Sequence, residues 1–179
     1  MKMEFKTAAI EDLQAIYEMY NDVIDHQQYD LYGADWTKDV YPSRKDLEEH
    51  LKNDRFYVAT EEGRYAAAGV ISLNEDPMYR NGSWTHRYPE DQIAVLHLFT
   101  VHPAFRGRGL AKRFLRYIID ETAKTSKVIH LDVLQGNDAA FRMYEKVGFR
   151  SAGKLQVYYE DTGDIVVDLM EYEYEKSES

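Results

Sequence analysis

Residues 94–113 read Ala-Val-Leu-His-Leu-Phe-Thr-Val-His-Pro-Ala-Phe-Arg-Gly-Arg-Gly-Leu-Ala-Lys-Arg. The stretch 94–101 is mostly apolar, aromatic or β-branched, which predicts a buried strand. Pro103 ends this strand, and the turn 106–109 alternates two arginines with two glycines. Apolar residues then recur every four positions from Leu110, which indicates a helix with one buried face. Because the first N–H groups of a helix have no internal partner, this strand, turn and helix suit a phosphate-bearing ligand.

The spacing of the glycines excludes two common phosphate loops. A P-loop requires GxxxxGKS or GxxxxGKT, and neither string occurs in the chain. A dinucleotide-binding loop requires GxGxxG, but Lys112 stands where the third glycine belongs. A third pattern does fit: an Arg, a Gly three residues later and an Ala two residues after that. Arg106, Gly109 and Ala111 satisfy it.

A second motif lies downstream, where residues 137–149 read Asn-Asp-Ala-Ala-Phe-Arg-Met-Tyr-Glu-Lys-Val-Gly-Phe. An Asn that opens a helix ending in Tyr-x-x-x-Gly-Phe, preceded by the Arg106 pattern, resembles the GNAT superfamily of N-acetyltransferases. In that family the first motif is the acyl-CoA pyrophosphate loop. Two motifs in the right order are more specific than either one alone.

This resemblance implies an α/β fold with a mixed sheet, the GNAT-like acyl-CoA N-acyltransferase fold. The expected order is β-α-α-β-β-β-α-β-α-β-β, with two parallel central strands that splay. The resemblance also implies acetyl-CoA as donor substrate and acetyl transfer to a primary amine by direct attack. Since the chain has no cysteine, no cysteine acyl-enzyme can form, which favours that route. The alternative is a non-catalytic domain that binds or senses acyl-CoA.

The resemblance assigns three groups of residues to the donor. Backbone N–H groups at the end of the strand are expected to hold the thioester carbonyl and the pantetheine, the loop to hold the pyrophosphate, and the second motif to contact the CoA arm. The expected contacts are Phe99, Thr100, Val101, Arg106, Gly107, Arg108, Gly109, Leu110, Ala111, Asn137, Ala140 and Tyr144. Asn137 is equally suited to capping its helix, and both roles can hold together.

Two residues are candidates for proton transfer. Tyr144 matches the family tyrosine near the CoA sulfur, where a phenol can protonate a departing thiolate. His97 lies on the strand 94–101, and alternation places it on one face with Val95, Phe99 and Val101. An imidazole can accept the proton of an amine at neutral pH, although a buried histidine satisfied by a carbonyl explains the residue equally well.

The acceptor is expected over two loops, 26–42 and 74–92. Their aromatic residues could form a wall for an aliphatic or aromatic amine, and Asp30, Asp35 or Glu75 could receive an ammonium group. Ordinary loop packing is the competing explanation. The aromatic candidates are Tyr29, Tyr32, Trp36 and Trp84.

The composition of the 179 residues limits the class of protein. A hydrophobic fraction of 44% and 15 tyrosines predict one folded domain over 1–179, with a disordered acidic tail over 173–179. The net charge of −10 argues against nucleic-acid binding. No stretch is long and apolar enough for a membrane span, and the histidines lack the spacing of a metal site. We therefore expect a cytoplasmic protein with no metal, no membrane partner and a small-molecule or peptide amine as acceptor, with a homodimer left open.

Periodicity and turn residues predict the remaining elements. The segment 74–92 is polar and turn-rich, which predicts a long loop. Helices are expected over 10–25, 43–52 and 110–124 and from 138 onward, and strands over 4–8, 56–60, 65–73, 128–134, 149–159 and 165–172.

Overall fold

The computed structural model describes residues 2–31, 33–159 and 163–175. Helices and strands follow the predicted order, and most bounds agree within a few residues. The first helix begins later than predicted, because residues 10–12 form a separate 3-10 turn. The elements are β1 (Met3–Thr7), α1 (Leu13–His26), α2 (Arg44–Asn53), β2 (Arg55–Glu61), β3 (Arg64–Leu73), β4 (Ile93–Val101), α3 (Leu110–Thr122), β5 (Val128–Leu134), α4 (Asp138–Val147), β6 (Arg150–Tyr159) and β7 (Gly163–Glu173).

The strands form one mixed sheet in the order β1-β2-β3-β4-β5-β7-β6. β4 pairs parallel with β5, and the pairing joins Ile93–Val95 to Val128–His130. The pairs β1–β2, β2–β3, β5–β7 and β6–β7 are antiparallel. The predicted mixed sheet with a parallel central pair is therefore confirmed.

The described chain divides into two compact units. The first comprises Met1–Ser72 with Leu96–Ile118, and the second comprises Leu73–Val95 with Ile119–Ser179. In the first unit, α1 and α2 pack against buried side chains of β2 and β3, and Ser43 and Asp46 form the capping box that starts α2. The main members of this core are Ile16, Tyr20, Leu47, Phe56, Val58, Val70 and Leu98.

The second unit has its own core, on one face of its strands. The segment 74–92, predicted as a loop, contributes the buried Tyr79 to this core and contains 3-10 turns at Pro77–Tyr79 and Glu90–Gln92. Tyr79 therefore anchors this segment to the core, although most of its residues are exposed. The buried members of the core are Tyr79, Ile93, Val95, Val128, Ala152, Val157, Val167 and Leu169.

A bulge in β4 overturns the simple alternation predicted for this strand. Leu98 has a φ of 54° and belongs to the core under α1 and α2. Phe99 instead stacks on Phe114 of α3, with ring centroids 5.8 Å apart. His97 and Phe99 therefore do not share a face as alternation predicts, because the left-handed residue between them re-aims the side chains that follow.

The carbonyl at this bulge has a buried partner. Tyr20, which is fully buried, donates its phenol to the Leu98 carbonyl at 2.6 Å. We expect Tyr20→Phe to lower the free energy of unfolding by about 1–3 kcal/mol, because the carbonyl then stays buried without that donor. Urea denaturation measures the change. Tyr158→Phe is the control, since that tyrosine is 65% exposed, and equal losses in both variants would contradict the assignment.

Two residues that the sequence places in the acidic tail have partners in the structure. Glu173 still belongs to β7, and the phenol of Tyr174 donates to the Ile119 carbonyl. The predicted disordered tail from residue 173 is therefore wrong for these two residues, because the Tyr174 side chain and backbone both find partners. Residues 176–179 lie outside the described residues. Within the described ranges, no helix has the length and apolar character needed to cross a membrane.

Candidate active site

The turn between β4 and α3 has the backbone geometry of an anion site. Gly107 and Gly109 have φ values of 77° and 70°, a region that side-chain-bearing residues rarely adopt. A Cβ at either position would meet no protein atom within 4 Å, so the space above both glycines is open. Leu110 is buried and begins α3, whose first N–H groups lack helical acceptors.

The two arginines of this turn have carboxylate partners that the sequence did not reveal. Arg106 donates to Asp30 at 2.8 Å and to the Val101 carbonyl at 3.2 Å. Arg108 donates to both oxygens of Glu61 at 2.8 and 3.3 Å, and this pairing raises the pKa of Arg108 and lowers the pKa of Glu61. Both guanidinium groups are therefore paired within the chain, and their contact with a pyrophosphate stays a prediction.

The backbone of this turn suits an anion. The two left-handed glycines directly precede the α3 N-terminus, where N–H groups and the helix dipole favour a negative charge. Ala111 is half-buried at the second position of α3, and its small side chain keeps the backbone accessible. Phe99, Thr100 and Val101 are half-buried at the end of β4.

His97 lies in the first unit beside a second histidine. Its ring centroid is 6.1 Å from that of His50 in α2, and His50 in turn contacts Asp54 at 2.7 Å. His102 follows β4 and is half-buried. Its Nδ1 accepts from the Ala104 N–H, and its Nε2 lies 3.1 Å from Asp22.

The second unit holds Asn137, Ala140 and Tyr144. Asn137 caps α4, and its side-chain oxygen accepts from the Ala140 N–H at 3.3 Å. Tyr144 is buried and packs edge-on against Phe149 at 5.5 Å between ring centroids. Burial raises the pKa of Tyr144, and the negative charge of Asp132 raises it further, so the phenol keeps its proton at neutral pH.

Asp132 is the residue that sequence reasoning missed. It lies on β5, is half-buried, and accepts a hydrogen bond from the Tyr159 phenol at 3.3 Å. The Tyr79 phenol is its second hydrogen-bonding partner. Burial raises the pKa of Asp132, while these two phenols oppose the shift by stabilising the carboxylate. The available signal was a carboxylate inside the strand 128–134, whose other residues apart from His130 are apolar. Such a carboxylate is uncommon without a function or a partner.

The predicted acceptor wall is largely used in packing. Tyr29 is 75% exposed, but Trp36 packs against the first core with its ring 5.5 Å from Tyr20. Trp84 stacks on His130 at 3.6 Å in the second unit. Tyr32 lies outside the described residues.

Two carboxylates proposed for an ammonium group are also engaged. Asp30 binds Arg106 and lies 3.2 Å from His26, and Glu75 is buried against His130. A carboxylate that folding withdraws from water needs a nearby counter-charge or hydrogen-bond donor, and each of these two finds one within the chain. Among the described residues there is also no group of three or more His, Cys, Asp or Glu that could hold a metal ion.

A family model and a curated relative both assign the chain to the same family. A sequence model of the Acetyltransferase (GNAT) family matches residues 20–149, which includes the turn 106–109 and Tyr144. The chain is 34% identical over 138 residues to the [Ribosomal protein bS18]-alanine N-acetyltransferase of Escherichia coli, covering 76% of this chain and 79% of that protein.

Two further relatives define the extent of the likeness. The chain is 38% identical over 68 residues to the N-alpha-acetyltransferase RimI of Mycobacterium tuberculosis, which is 38% of this chain and 42% of that protein. A candidate acetyltransferase from Salmonella typhimurium, solved with its cofactor acetyl-CoA, superposes with a TM-score of 0.72 at 19% identity, covering 100% of this chain and 98% of that one. The structural likeness confirms the fold.

Proposed function

Because the chain belongs to the GNAT acetyltransferase family, we propose that it transfers the acetyl group of acetyl-CoA to a primary amine. The observation that carries the proposal is the family match over 20–149, which includes both the left-handed glycine turn and Tyr144. The domain that only binds or senses acyl-CoA remains the second candidate. The presence of Tyr144 within the matched family region favours catalysis over sensing, because a sensor needs no proton donor at that position.

In the proposed reaction the backbone binds the donor. The N–H groups of Gly109, Leu110 and Ala111 hold the pyrophosphate, and those at the end of β4 hold the pantetheine and the thioester carbonyl. Acetyl-CoA supplies the activated acetyl group. The chain's own contribution is to place that carbonyl against the amine and to move protons.

Asp132 and Tyr144 are the proposed proton-transfer pair. The pKa of Asp132 is raised, which makes its carboxylate a stronger base. The carboxylate can then take a proton from the ammonium group of the acceptor, so that the free amine attacks. Tyr144 carries its proton at neutral pH and can donate it to the departing thiolate. Amine attack forms the N–C bond, cleavage of the C–S bond releases the thiolate, and Tyr144 protonates the thiolate to the thiol. The second proton lost by the nitrogen as the amide forms restores the Tyr144 phenol, and Asp132 releases its proton to water. His97 is the alternative proton acceptor.

The names of the relatives suggest an acceptor class. One acts on the alanine of a ribosomal protein, and another is an N-alpha-acetyltransferase. We therefore place the α-amino group of a peptide first among acceptors and a small aromatic or aliphatic amine second.

A screen of acceptors tests the activity. Purified protein is incubated with acetyl-CoA and a panel of peptides beginning with Ala, Ser or Met, together with small amines, and acetylated products are read by mass spectrometry. We expect a peptide to gain one acetyl group, and Tyr144→Phe to lower kcat roughly tenfold to a hundredfold while acetyl-CoA affinity is kept. Binding of acetyl-CoA without any product from the panel would favour the sensing domain.

A further inference from the structure

The segment 74–92 is attached to the face of β5 around one histidine. His130 and Asp132 are two residues apart on this strand and therefore share a face. The side chain of His130 is 2% exposed, and its Nδ1 lies 2.8 and 3.0 Å from the two oxygens of Glu75. Trp84, near the other end of the segment, stacks on the imidazole at 3.6 Å with an interplanar angle of 4°. One side chain thus anchors the segment at two points.

Between these two anchors lies Tyr79. Asp76 follows Glu75 and caps the turn Pro77–Tyr79, accepting from the Met78 N–H at 2.9 Å. The indole N–H of Trp84 donates to the Tyr79 carbonyl at 2.8 Å. Tyr79 is therefore held from both sides, and its phenol is hydrogen-bonded to Asp132.

A purely structural core does not need this arrangement. Replacing a buried ion pair by apolar side chains is often neutral or stabilising, so a buried Glu–His pair is weak evidence for stability. The Nε2 atom of His130 is moreover buried without a hydrogen-bond partner among the described residues, which is a cost. A buried histidine with an unpartnered ring nitrogen calls for a role beyond packing.

We propose that Glu75, His130 and Trp84 form a clasp that holds the Tyr79 phenol on the Asp132 carboxyl. These three are positioning residues. The inference rests on the proposed function in one respect, which is that Asp132 takes part in the reaction. The clasp acts on the proposed proton acceptor through Tyr79.

The physical consequence is control of the Asp132 charge. Four groups face this carboxyl: Tyr79 and Tyr159 as hydrogen-bonding partners, Asp76 as a like charge, and Tyr144. Burial and Asp76 favour the protonated acid, and the two phenols favour the carboxylate. If the clasp opens and Tyr79 withdraws, the balance moves toward the protonated acid and the pKa of Asp132 rises.

The test is a titration of the free protein. Side-chain carboxyl carbons of ¹³C-labelled aspartate are followed by NMR against pH, with Asp132→Asn used to assign the signal. We expect Tyr79→Phe to raise the pKa of Asp132, and Glu75→Gln to raise it by part of that amount. Trp84→Phe keeps an aromatic ring but loses the bond to the Tyr79 carbonyl, and serves if Glu75→Gln does not fold. In the Tyr79→Phe background, we expect Glu75→Gln and Trp84→Phe to add no further shift.

The matched control is Glu90→Gln, which removes an exposed carboxylate of the same segment that pairs with Arg80. It should leave the titration of Asp132 unchanged. The proposal is overturned if Glu75→Gln and Trp84→Phe leave the pKa of Asp132 unchanged. It is also overturned if they shift this pKa by the same amount in the Tyr79→Phe background as in the wild type. The titration contains neither acetyl-CoA nor an amine. Its result can therefore be interpreted even if the protein acetylates no acceptor in the screen. Acetylation with an unmoved titration would overturn the clasp alone.

Discussion

Gly109→Trp weakens acetyl-CoA binding by about a hundredfold or more, in a chain that still folds. Gly109 has a left-handed φ of 70°, immediately before the α3 N-terminus. An indole at this position occupies the open space above the turn and turns its N–H groups away from a phosphate. Two charge-assisted hydrogen bonds lost at roughly 1.5 kcal/mol each amount to about a hundredfold in affinity. Isothermal titration with acetyl-CoA measures the change.

Gly163→Trp separates this effect from backbone strain. Gly163 has a φ of 74°, also has no protein atom within 4 Å of a Cβ, and opens β7 at a position with no role in the donor site. Its replacement carries comparable strain, and the thermal melting of both variants should fall by similar amounts. Acetyl-CoA affinity should fall only in Gly109→Trp. A folded Gly109→Trp protein with full affinity would refute the placement of the pyrophosphate.

Asp132→Asn lowers kcat by about a hundredfold to ten-thousandfold, the range typical of a lost general base. The carboxylate is the active form, so the wild-type rate falls as pH drops through the pKa of Asp132, which burial raises. In Asp132→Asn this acidic limb disappears from the pH–rate profile. The variant should also be more thermostable above neutrality. A carboxyl whose pKa is raised by folding costs stability when ionised, and a neutral amide does not carry that cost.

His97→Ala is the competing variant, and Asp164→Asn, at an exposed position of β7, is the control. We expect His97→Ala to keep the acidic limb of the profile and Asp164→Asn to keep both the limb and kcat. If His97→Ala removes the limb and Asp132→Asn leaves it in place, His97 is the proton acceptor. In that case, a higher thermostability of Asp132→Asn shows only that a buried carboxylate was removed, and it says nothing about catalysis.

Much of the fold could be predicted because its signals are local. The capping box at Ser43 and Asp46, the glycines at 107 and 109, and the Asn137 cap each act within a few residues. The element order was predicted correctly for the same reason. Alternation along β4 failed at Leu98, because a bulge arises from the packing of a strand on both faces and leaves no mark in the hydrophobic pattern.

The sequence by itself determined the order of the helices and strands, the glycine turn 106–109, and the spacing of the motif over 137–149. Each of these depends on neighbours along the chain. Only the tertiary structure decided the partners of the side chains. Arg108 meets Glu61 across 47 residues, and His130 meets Glu75 across 55. Asp132 becomes a candidate proton acceptor only once folding buries it against two distant phenols. Burial and charge pairing are properties of the packed chain, and burial raises the pKa of this aspartate above its ordinary value.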